Sequence, residues 1–315
     1  MNIGSLAVPG ATLHYESRGS GPVLLLIPGG AGDAGMYEGM ADRLAAAGYT
    51  VVSYDQRGLS RSPVSRSPVS RSPRSGSPVS RSPLDGSAAA PRVDQSVAEW
   101  ADDALAVLDA VSPGGEPAYV FGGSSGAIVA LALLARHPGR ARRVVAHEPP
   151  LVELLADPAP HRDHFAEVRE LLRTQGLGAA MARFAETPDG RKPPQQDGQR
   201  HDAELPPSIR HMADRMTANM PVFLEHVLCP FSSSVPDIDG LRAAAGKLVL
   251  GVGRETGDQE ALVGPARRLA ELTGAPTVAF PGGHVGCVEH PAEFAEQLLG
   301  TLASTRPADL TAKRR

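Results

Sequence analysis

The sequence predicts an α/β fold in which a mostly parallel sheet is covered by helices on both faces and carries an inserted helical cap. Short apolar runs that end at glycine or proline recur along the chain, and amphipathic segments lie between them. Residues 149–246 interrupt this alternation with helical segments alone. Together, these observations favour a single sheet with one long helical insertion, which forms a cap.

The predicted strands are short and apolar. A run of this kind is typical of a parallel strand that is buried on both faces of its sheet. Six runs qualify, at residues 22–28, 50–55, 117–121, 142–146, 247–252 and 276–280. Residues 3–8 and 11–17 come before them and predict an antiparallel hairpin that leads into the sheet.

The predicted core helices lie between these strands, at residues 34–47, 95–111, 126–137, 259–273 and 291–303. When strands and helices alternate, the helices serve as crossovers and cover both faces of a parallel sheet. We therefore expect a core domain made of residues 1–148 and 247–304.

The predicted cap, residues 149–246, has helical stretches near 161–175, 177–186 and 207–228. Pro221 predicts a kink or a break in the third stretch. Residues on that stretch recur at spacings of three and four, so they share one helical face: Met212, Met216, Met220 and Phe223. Packing of the cap on the core is the interpretation that we favour for them. The alternative is that they line an adaptable apolar substrate pocket.

A low-complexity insert follows the second strand of the six. Residues 59–84 repeat the motif SRSPV with a five-residue period. Prolines at this spacing exclude a helix, and few of the side chains suit a core, so we expect a disordered insert over 59–90. A repeat expansion tolerated in a surface loop is the favoured interpretation, and binding of acidic partners or phosphorylation is the alternative. Residues 305–315 are expected to form a flexible tail.

Composition excludes several classes of protein. The 315 residues are 42% hydrophobic with a formal charge of −4, which suits a large core and argues against a nucleic-acid partner. No apolar run is long enough for a membrane helix, and no signal peptide is recognisable. Two cysteines, Cys229 and Cys287, without a CxxC spacing fit a reducing compartment. We expect a cytoplasmic monomer or homodimer that acts on a small molecule away from membranes.

The stretch YVFGGSSGAIVALALLARHP, residues 119–138, contains a G-x-S-x-G motif between a predicted strand and a predicted helix. This arrangement is typical of a nucleophile elbow, where small flanking residues permit a very sharp turn. Gly122 and Gly126 flank Ser124, whereas one of the positions that flank Ser125 is an alanine. Ser124 is therefore the predicted nucleophile, and a glycine turn without chemistry is the alternative.

With this elbow, the stretch LLLIPGGAGDAGMYEGMADRLAAAGYTVVSYDQRGLSRS resembles the α/β-hydrolase fold family, and the resemblance covers nearly the whole chain. The family's D-x-R-G-x-G-x-S turn is matched at Asp55, Arg57, Gly58 and Ser62, with Ser60 in place of the second glycine. The resemblance implies a serine hydrolase that needs no metal or organic cofactor.

The resemblance also implies an oxyanion hole and a general base. Pro28 and Gly29 replace the frequent His-Gly pair of the oxyanion loop, and the implied donors are the main-chain N–H groups of Gly30 and Ser125. A serine hydroxyl needs a base, which the family places just after the last strand. His284 occupies that place in TVAFPGGHVGCVEHP.

The third catalytic group, a carboxylate that orients the histidine, is ambiguous. The common family position, G-x-x-D, reads GVGRETGD here, which puts Thr256 at the aspartate with Glu255 and Asp258 beside it. A second family position, after the preceding strand, holds Glu148, 24 residues beyond Ser124. We favour Glu148, then Glu255, then Asp258.

The favoured function is hydrolysis of a moderately hydrophobic carboxylic ester or lactone through an acyl-enzyme. A proline iminopeptidase-like aminopeptidase ranks second, because PGGAGDAG and DQRG also resemble that group but the cap lacks a strongly acidic cluster. A non-catalytic ligand receptor on the same scaffold, a carbon–carbon bond hydrolase and a cofactor-free perhydrolase remain open. Haloalkane dehalogenases and epoxide hydrolases have an aspartate at the elbow, and Ser124 argues against both.

Overall fold

The computed structural model describes residues 1–65, 93–190 and 207–304. In these ranges the strands form one eight-stranded sheet. The strands are β1 (Asn2–Val8), β2 (Ala11–Arg18), β3 (Val23–Ile27), β4 (Thr50–Tyr54), β5 (Ala118–Gly123), β6 (Ala141–His147), β7 (Leu248–Gly253) and β8 (Thr277–Phe280). Every predicted strand is present, with ends that differ from the prediction by one or two residues, so the predicted fold class is confirmed.

The sheet is parallel except at one edge. Its strand order is β1-β2-β4-β3-β5-β6-β7-β8. The strands β1 and β2 form an antiparallel hairpin, and β2 also pairs antiparallel with β4. All other neighbouring strands are parallel. Because β5, β6 and β7 are parallel neighbours, the loops at their carboxyl ends meet at one edge of the sheet.

Helices cover both faces of the sheet. Those outside the insertion between β6 and β7 are α1 (Glu38–Ala46), α2 (Val97–Val111), α3 (Ser125–Arg136), α9 (Glu260–Thr273), α10 (Gly286–Glu289) and α11 (Pro291–Ala303). Side chains alternate along each strand, so Leu25 packs with α2 and α3 while Leu24 packs with α1 and α11. None of the described helices combines the length and apolar composition that a membrane span requires.

The helical insertion lies between β6 and β7, where the cap is predicted. It contains α4 (Ala159–Gln175), α5 (Leu177–Phe184), α6 (Pro207–His226), α7 (Leu228–Ser232) and α8 (Ile238–Ala243). The helices α4 to α7 pack on one another, whereas α8 packs against α3 and α9 and buries Leu241 in the core. The division into core and cap at residues 148 and 247 stays a prediction.

Pro221 does not break its helix, so the predicted break is wrong, whereas the predicted kink stays a prediction. The helix α6 continues through Pro221 to His226. Phe223 and Leu224 follow it and are buried in the core. This burial stabilises the helical backbone, and tertiary packing of this kind commonly outweighs the local cost of a proline.

The predicted disordered insert starts too early at residue 59. Leu59 and Ser62 are fully buried, and the Ser62 hydroxyl donates to the Asp55 carbonyl over 2.6 Å. Val64 forms a bridge with Ala11 at the start of β2. The family turn therefore extends into the first repeat unit. Residues 66–92, which contain the rest of the predicted insert, and the tail 305–315 lie outside the described residues.

Candidate active site

Ser124 lies in a sharp turn between β5 and α3. Its backbone angles are φ 55° and ψ −124°, a combination that side-chain-bearing residues rarely adopt. Its N–H donates to the carbonyl oxygen of His147 on the neighbouring strand over 2.9 Å. The surrounding sheet and helix thus hold Ser124 in a strained conformation, as a nucleophile elbow requires.

The glycines on either side show which serine the turn is built around. A Cβ on Gly122 would lie 2.2 Å from the carbonyl oxygen of Gly126, and a Cβ on Gly126 would lie 2.2 Å from that of Ile27. At Gly123 the nearest atom would be 3.3 Å away. The two positions that exclude a side chain are therefore those that flank Ser124.

His284 and Glu148 form a hydrogen-bonded pair. The Nδ1–H of His284 donates to Oε2 of Glu148 over 2.8 Å, and the carboxylate is completely buried. The other oxygen, Oε1, accepts from the Thr256 hydroxyl over 2.6 Å and from the Gly253 N–H over 2.7 Å. Both carboxylate oxygens of Glu148 are thus hydrogen-bonded, and the bond to Nδ1 fixes the orientation of the His284 ring.

The surroundings of Glu148 favour its charged form. Burial alone would raise the pKa of this carboxyl, but the hydrogen bond from His284, the charge of nearby His147 and the hydrogen bond from Thr256 lower the pKa to about 2. Glu148 is therefore ionised at neutral pH, and it presents a negative charge to the His284 ring.

The three acids that the sequence offered are placed differently. Glu148 follows β6 and contacts His284, whereas Glu255 and Asp258 are exposed residues of the loop after β7. Thr256, in the same loop, points inward and hydrogen-bonds Glu148. The structure thus brings together the favoured acid and the residue that stands at the common aspartate position.

The two implied oxyanion donors lie next to each other. Gly30 has a positive φ of 55°, and its N–H donates to the Oγ of Ser125 over 2.8 Å. Ser125 is buried and is the first residue of α3. In the structure the N–H of Gly30 is therefore already hydrogen-bonded to the side chain of Ser125, which follows Ser124 in the elbow.

A cavity of about 330 Å³ connects these groups. Ser124, Ser125 and His284 lie on its wall, as do apolar residues of the helical insertion: Phe165, Phe184, Phe223, Leu228 and Phe231. Its size and mainly apolar wall suit a small organic molecule with few polar groups. The predicted nucleophile and base thus share one mainly apolar chamber.

Of the four side chains that might line a pocket, Phe223 does so and the methionines do not. Met212 is buried beside Gly35 of the oxyanion loop, and Met220 packs against the core. The cavity wall described here includes none of Met212, Met216 and Met220, so their assignment to the substrate pocket stays a prediction. The favoured interpretation, cap-to-core packing, fits their positions.

The sequence did not reveal how α6 is attached to the oxyanion loop. Asn219 donates to the Ala31 carbonyl over 2.9 Å and to the Ser60 hydroxyl over 2.8 Å, and it accepts from the Ser60 N–H over 2.8 Å. Arg215 and Asp33 form an ion pair beside them. Ser60 has a positive φ of 47°, so its backbone adopts the conformation that the family's second glycine usually adopts in this turn. These contacts join residues far apart in the chain, so no local pattern predicted them.

Comparison with known proteins agrees with the observed fold. Residues 22–203 match the family described as alpha/beta hydrolase fold. An uncharacterized hydrolase of Bacillus subtilis, YraK, is 31% identical over 95% of each chain. A zearalenone hydrolase of Bionectria ochroleuca is 27% identical over 93% of this chain and 94% of its own. The crystal structure of an enol-lactonase from Burkholderia xenovorans superimposes with a TM-score of 0.66 at 19% identity, covering 96% of this chain and all of the enol-lactonase chain.

Proposed function

The chain belongs to the alpha/beta hydrolase fold family, and we propose that it hydrolyses carboxylic esters or lactones through an acyl-enzyme at Ser124. One observation carries this proposal. A buried, ionised Glu148 holds the imidazole of His284 on the wall of the cavity that also contains Ser124 in a strained elbow. A nucleophile, a base and an orienting acid are the groups that acyl transfer needs.

In the proposed first step, the Ser124 Oγ attacks the carbonyl carbon and its proton passes to Nε2 of His284. The Nδ1–H of His284 stays hydrogen-bonded to Glu148, whose charge stabilises the imidazolium. Collapse of the tetrahedral intermediate breaks the ester bond, and the Nε2 proton goes to the leaving alcohol oxygen. Water, deprotonated by the same histidine, then hydrolyses the acyl-enzyme and regenerates the Ser124 hydroxyl.

The negative oxygen of the intermediate is assigned to the N–H groups of Ser125 and Gly30. The N–H of Ser125 lies at the start of α3, where the helix dipole adds to the attraction. The N–H of Gly30 donates to the Ser125 hydroxyl, so the oxyanion competes with that hydroxyl for the donor.

The proposed substrate is a mainly apolar ester or lactone. The aromatic and aliphatic side chains that line the cavity exclude water and favour an apolar acyl or alcohol group. Two named relatives support a hydrolytic reaction of this kind, since one is called an enol-lactonase and the other a zearalenone hydrolase. The choice between an open-chain ester and a lactone is left to experiment.

The test is a substrate panel measured on the full-length protein and on Ser124→Ala. The panel contains p-nitrophenyl esters of two to twelve carbons, simple γ- and δ-lactones and the p-nitroanilide of proline. We expect turnover of esters or lactones that the variant abolishes. Faster turnover of the anilide would favour an aminopeptidase. Equal background rates in both proteins, with saturable binding of the esters, would favour a receptor.

A further inference from the structure

The cavity has a second polar region, on the side of α4. His161 and His164 are three residues apart near the start of this helix, so they share a face, and both line the cavity. They are 8% and 4% exposed. Neither belongs to the proposed catalytic machinery, so their burial in a mainly apolar chamber needs another explanation.

His164 carries an unsatisfied nitrogen. Its Nδ1 is buried and has no hydrogen-bond partner among the residues that the structure describes. Nearly all buried polar atoms in folded proteins are hydrogen-bonded, because leaving one unpaired costs free energy. Because His164 lines the cavity, a ligand bound there is the partner that can complete the hydrogen bonding of the imidazole ring.

The charge state of His164 restricts the ligand group. Burial, with the positive charge of nearby Arg183, lowers the pKa of His164 to about 4. The ring is neutral at pH 7, so it offers no attraction to a carboxylate or phosphate. Glu186 and Glu260 also line the cavity and repel anions. A neutral imidazole has one acceptor and one donor nitrogen, which matches a hydroxyl group.

The two carboxylates near His164 already have contacts within the protein. Glu260 lies 3.7 Å from Nε2 of His161, and Glu186 lies 3.4 Å from Arg183. A substrate ammonium group would have to compete with these contacts. A neutral hydroxyl at His164 disturbs neither of them, and this observation favours it over a cation.

We propose that His164 binds a hydroxyl group of the substrate, at a point of the cavity separate from the scissile carbonyl, so that the preferred substrate is an apolar ester or lactone bearing a hydroxyl. This inference rests on the proposed function, because only a hydrolase would turn the bound ester over as a substrate. The binding of a hydroxyl group at His164 does not itself depend on catalysis. His161 lies beside the subsite as a second polar group.

The test uses matched ligand pairs and separates binding from turnover. The pairs are p-nitrophenyl alkanoates of four to ten carbons with either a methyl group or a hydroxymethyl group at the chain end. The series scans the distance between the ester carbon and the hydroxyl. Dissociation constants are measured on Ser124→Ala, which retains the cavity, and on the same variant with His164→Phe or His164→Gln.

We expect the hydroxylated ester to bind more tightly than its partner at one or two chain lengths, by about tenfold, which is typical of a buried neutral hydrogen bond. His164→Phe removes this preference while the unsubstituted esters bind as before. His164→Gln, which keeps donor and acceptor atoms, retains part of it. His211→Phe, at an exposed position of α6, is the matched control and leaves the preference unchanged.

Other outcomes would overturn the subsite. A preference that persists in His164→Phe, or the same affinity for both members of every pair in the parent variant, would contradict it. Tighter binding of ω-amino esters than of ω-hydroxy esters would assign the region to a cation. If Ser124 proves unreactive but the hydroxyl preference disappears in His164→Phe, the proposed function fails and the subsite stands.

Discussion

Thr256 donates a 2.6 Å hydrogen bond to Oε1 of Glu148. The residue at the family's common acid position thus hydrogen-bonds a carboxylate that follows the neighbouring strand. The two positions follow the neighbouring parallel strands β6 and β7, whose carboxyl ends meet at one edge of the sheet. Both loops therefore lie beside the same histidine, and in this chain the carboxylate comes from the loop after β6. This geometry explains how the acid can lie 24 residues after Ser124 and still orient His284.

Replacement of the acid is the first prediction. Glu148→Gln keeps the side-chain shape but places a neutral amide beside His284. The imidazole then loses the negative charge next to it and the acceptor that fixes its tautomer. We expect kcat to fall by about 10²- to 10⁴-fold, with little change in KM. Ester hydrolysis at pH 7 to 8 is the measurement. Glu255→Gln and Asp258→Asn serve as matched controls and keep full activity. A larger loss in either control would transfer the acid role to the loop after β7.

The glycines that flank the elbow give a second prediction. Gly122→Ala places a Cβ 2.2 Å from the carbonyl oxygen of Gly126 in α3, and Gly126→Ala places one 2.2 Å from that of Ile27 in β3. Neither oxygen can move without shifting the helix or the strand that holds it. We expect each variant to lose at least about 2 kcal/mol of unfolding free energy and most of its ester hydrolysis. Urea denaturation measures the loss.

Gly300→Ala is the control for these substitutions. Its Cβ would meet no atom within 4 Å, and it lies in α11. Since alanine favours a helix over glycine, stability should stay equal or rise by up to about 1 kcal/mol. If Gly122→Ala behaved like this control, the elbow would not be as close-packed as the structure has it.

The attachment of α6 to the oxyanion loop gives a third prediction. Asn219→Ala removes three hydrogen bonds and leaves the partly buried N–H of Ser60 and the buried carbonyl of Ala31 without this partner. We expect a loss of about 2 to 3 kcal/mol of unfolding free energy, and a lower kcat because Ala31 adjoins Gly30. Thr217→Ala, at an exposed position on the same helix, should change neither. Unchanged kcat in Asn219→Ala would show that the attachment serves stability alone.

Stability at mildly acidic pH provides a fourth prediction. Burial lowers the pKa of His147 to about 4, although neighbouring Glu148 acts to raise it. Between about pH 6.5, where the unfolded chain takes up this proton, and pH 4, the unfolded state binds more protons than the folded state. The unfolding free energy therefore falls as the pH falls through this window, by up to about 1.4 kcal/mol per pH unit for one group.

The His147 contribution is measured by urea denaturation at several pH values. His147 packs among Phe121, Phe280 and Phe294, so His147→Phe suits the site and removes the titrating group. We expect a shallower slope between pH 6.5 and 4.5, with the share of His164 retained. His211→Phe, at an exposed position, keeps the original slope. An unchanged slope in His147→Phe would show that His147 is protonated in the folded state.

Much of the fold and site could be predicted from local sequence. Apolar runs with glycine ends located the strands, and G-x-S-x-G pointed to Ser124, because both signals arise from residues close together in the chain. The position of His284 came from the family's chain order. Glu148 ranks above Glu255 and Asp258 because Thr256 stands at the family's common acid position and because the 24-residue spacing resembles family members with a relocated acid.

Other features depend on contacts between distant segments, which a single sequence does not show. The hydrogen bonds of Asn219 join residues up to 188 positions apart, and nothing near Asn219 marks it as a partner of the oxyanion loop. The methionines of α6 have a helical spacing that fits a pocket and a core equally well, and only packing decides between them. The first residues of the repeat look like the rest of it in sequence, but Ser62 hydrogen-bonds Asp55 and Val64 pairs with the start of β2.

The most direct test of the central claim is the site of covalent labelling by a fluorophosphonate, which reacts with activated serines. Full-length protein, Ser124→Ala, Ser125→Ala and His284→Ala are incubated with the reagent, and the label is counted by intact mass and located by peptide mass spectrometry. The account predicts one label per chain on Ser124 in the parent and in Ser125→Ala, none in Ser124→Ala, and a far slower reaction in His284→Ala. A label on another residue, or equal labelling of Ser124 without His284, would contradict it.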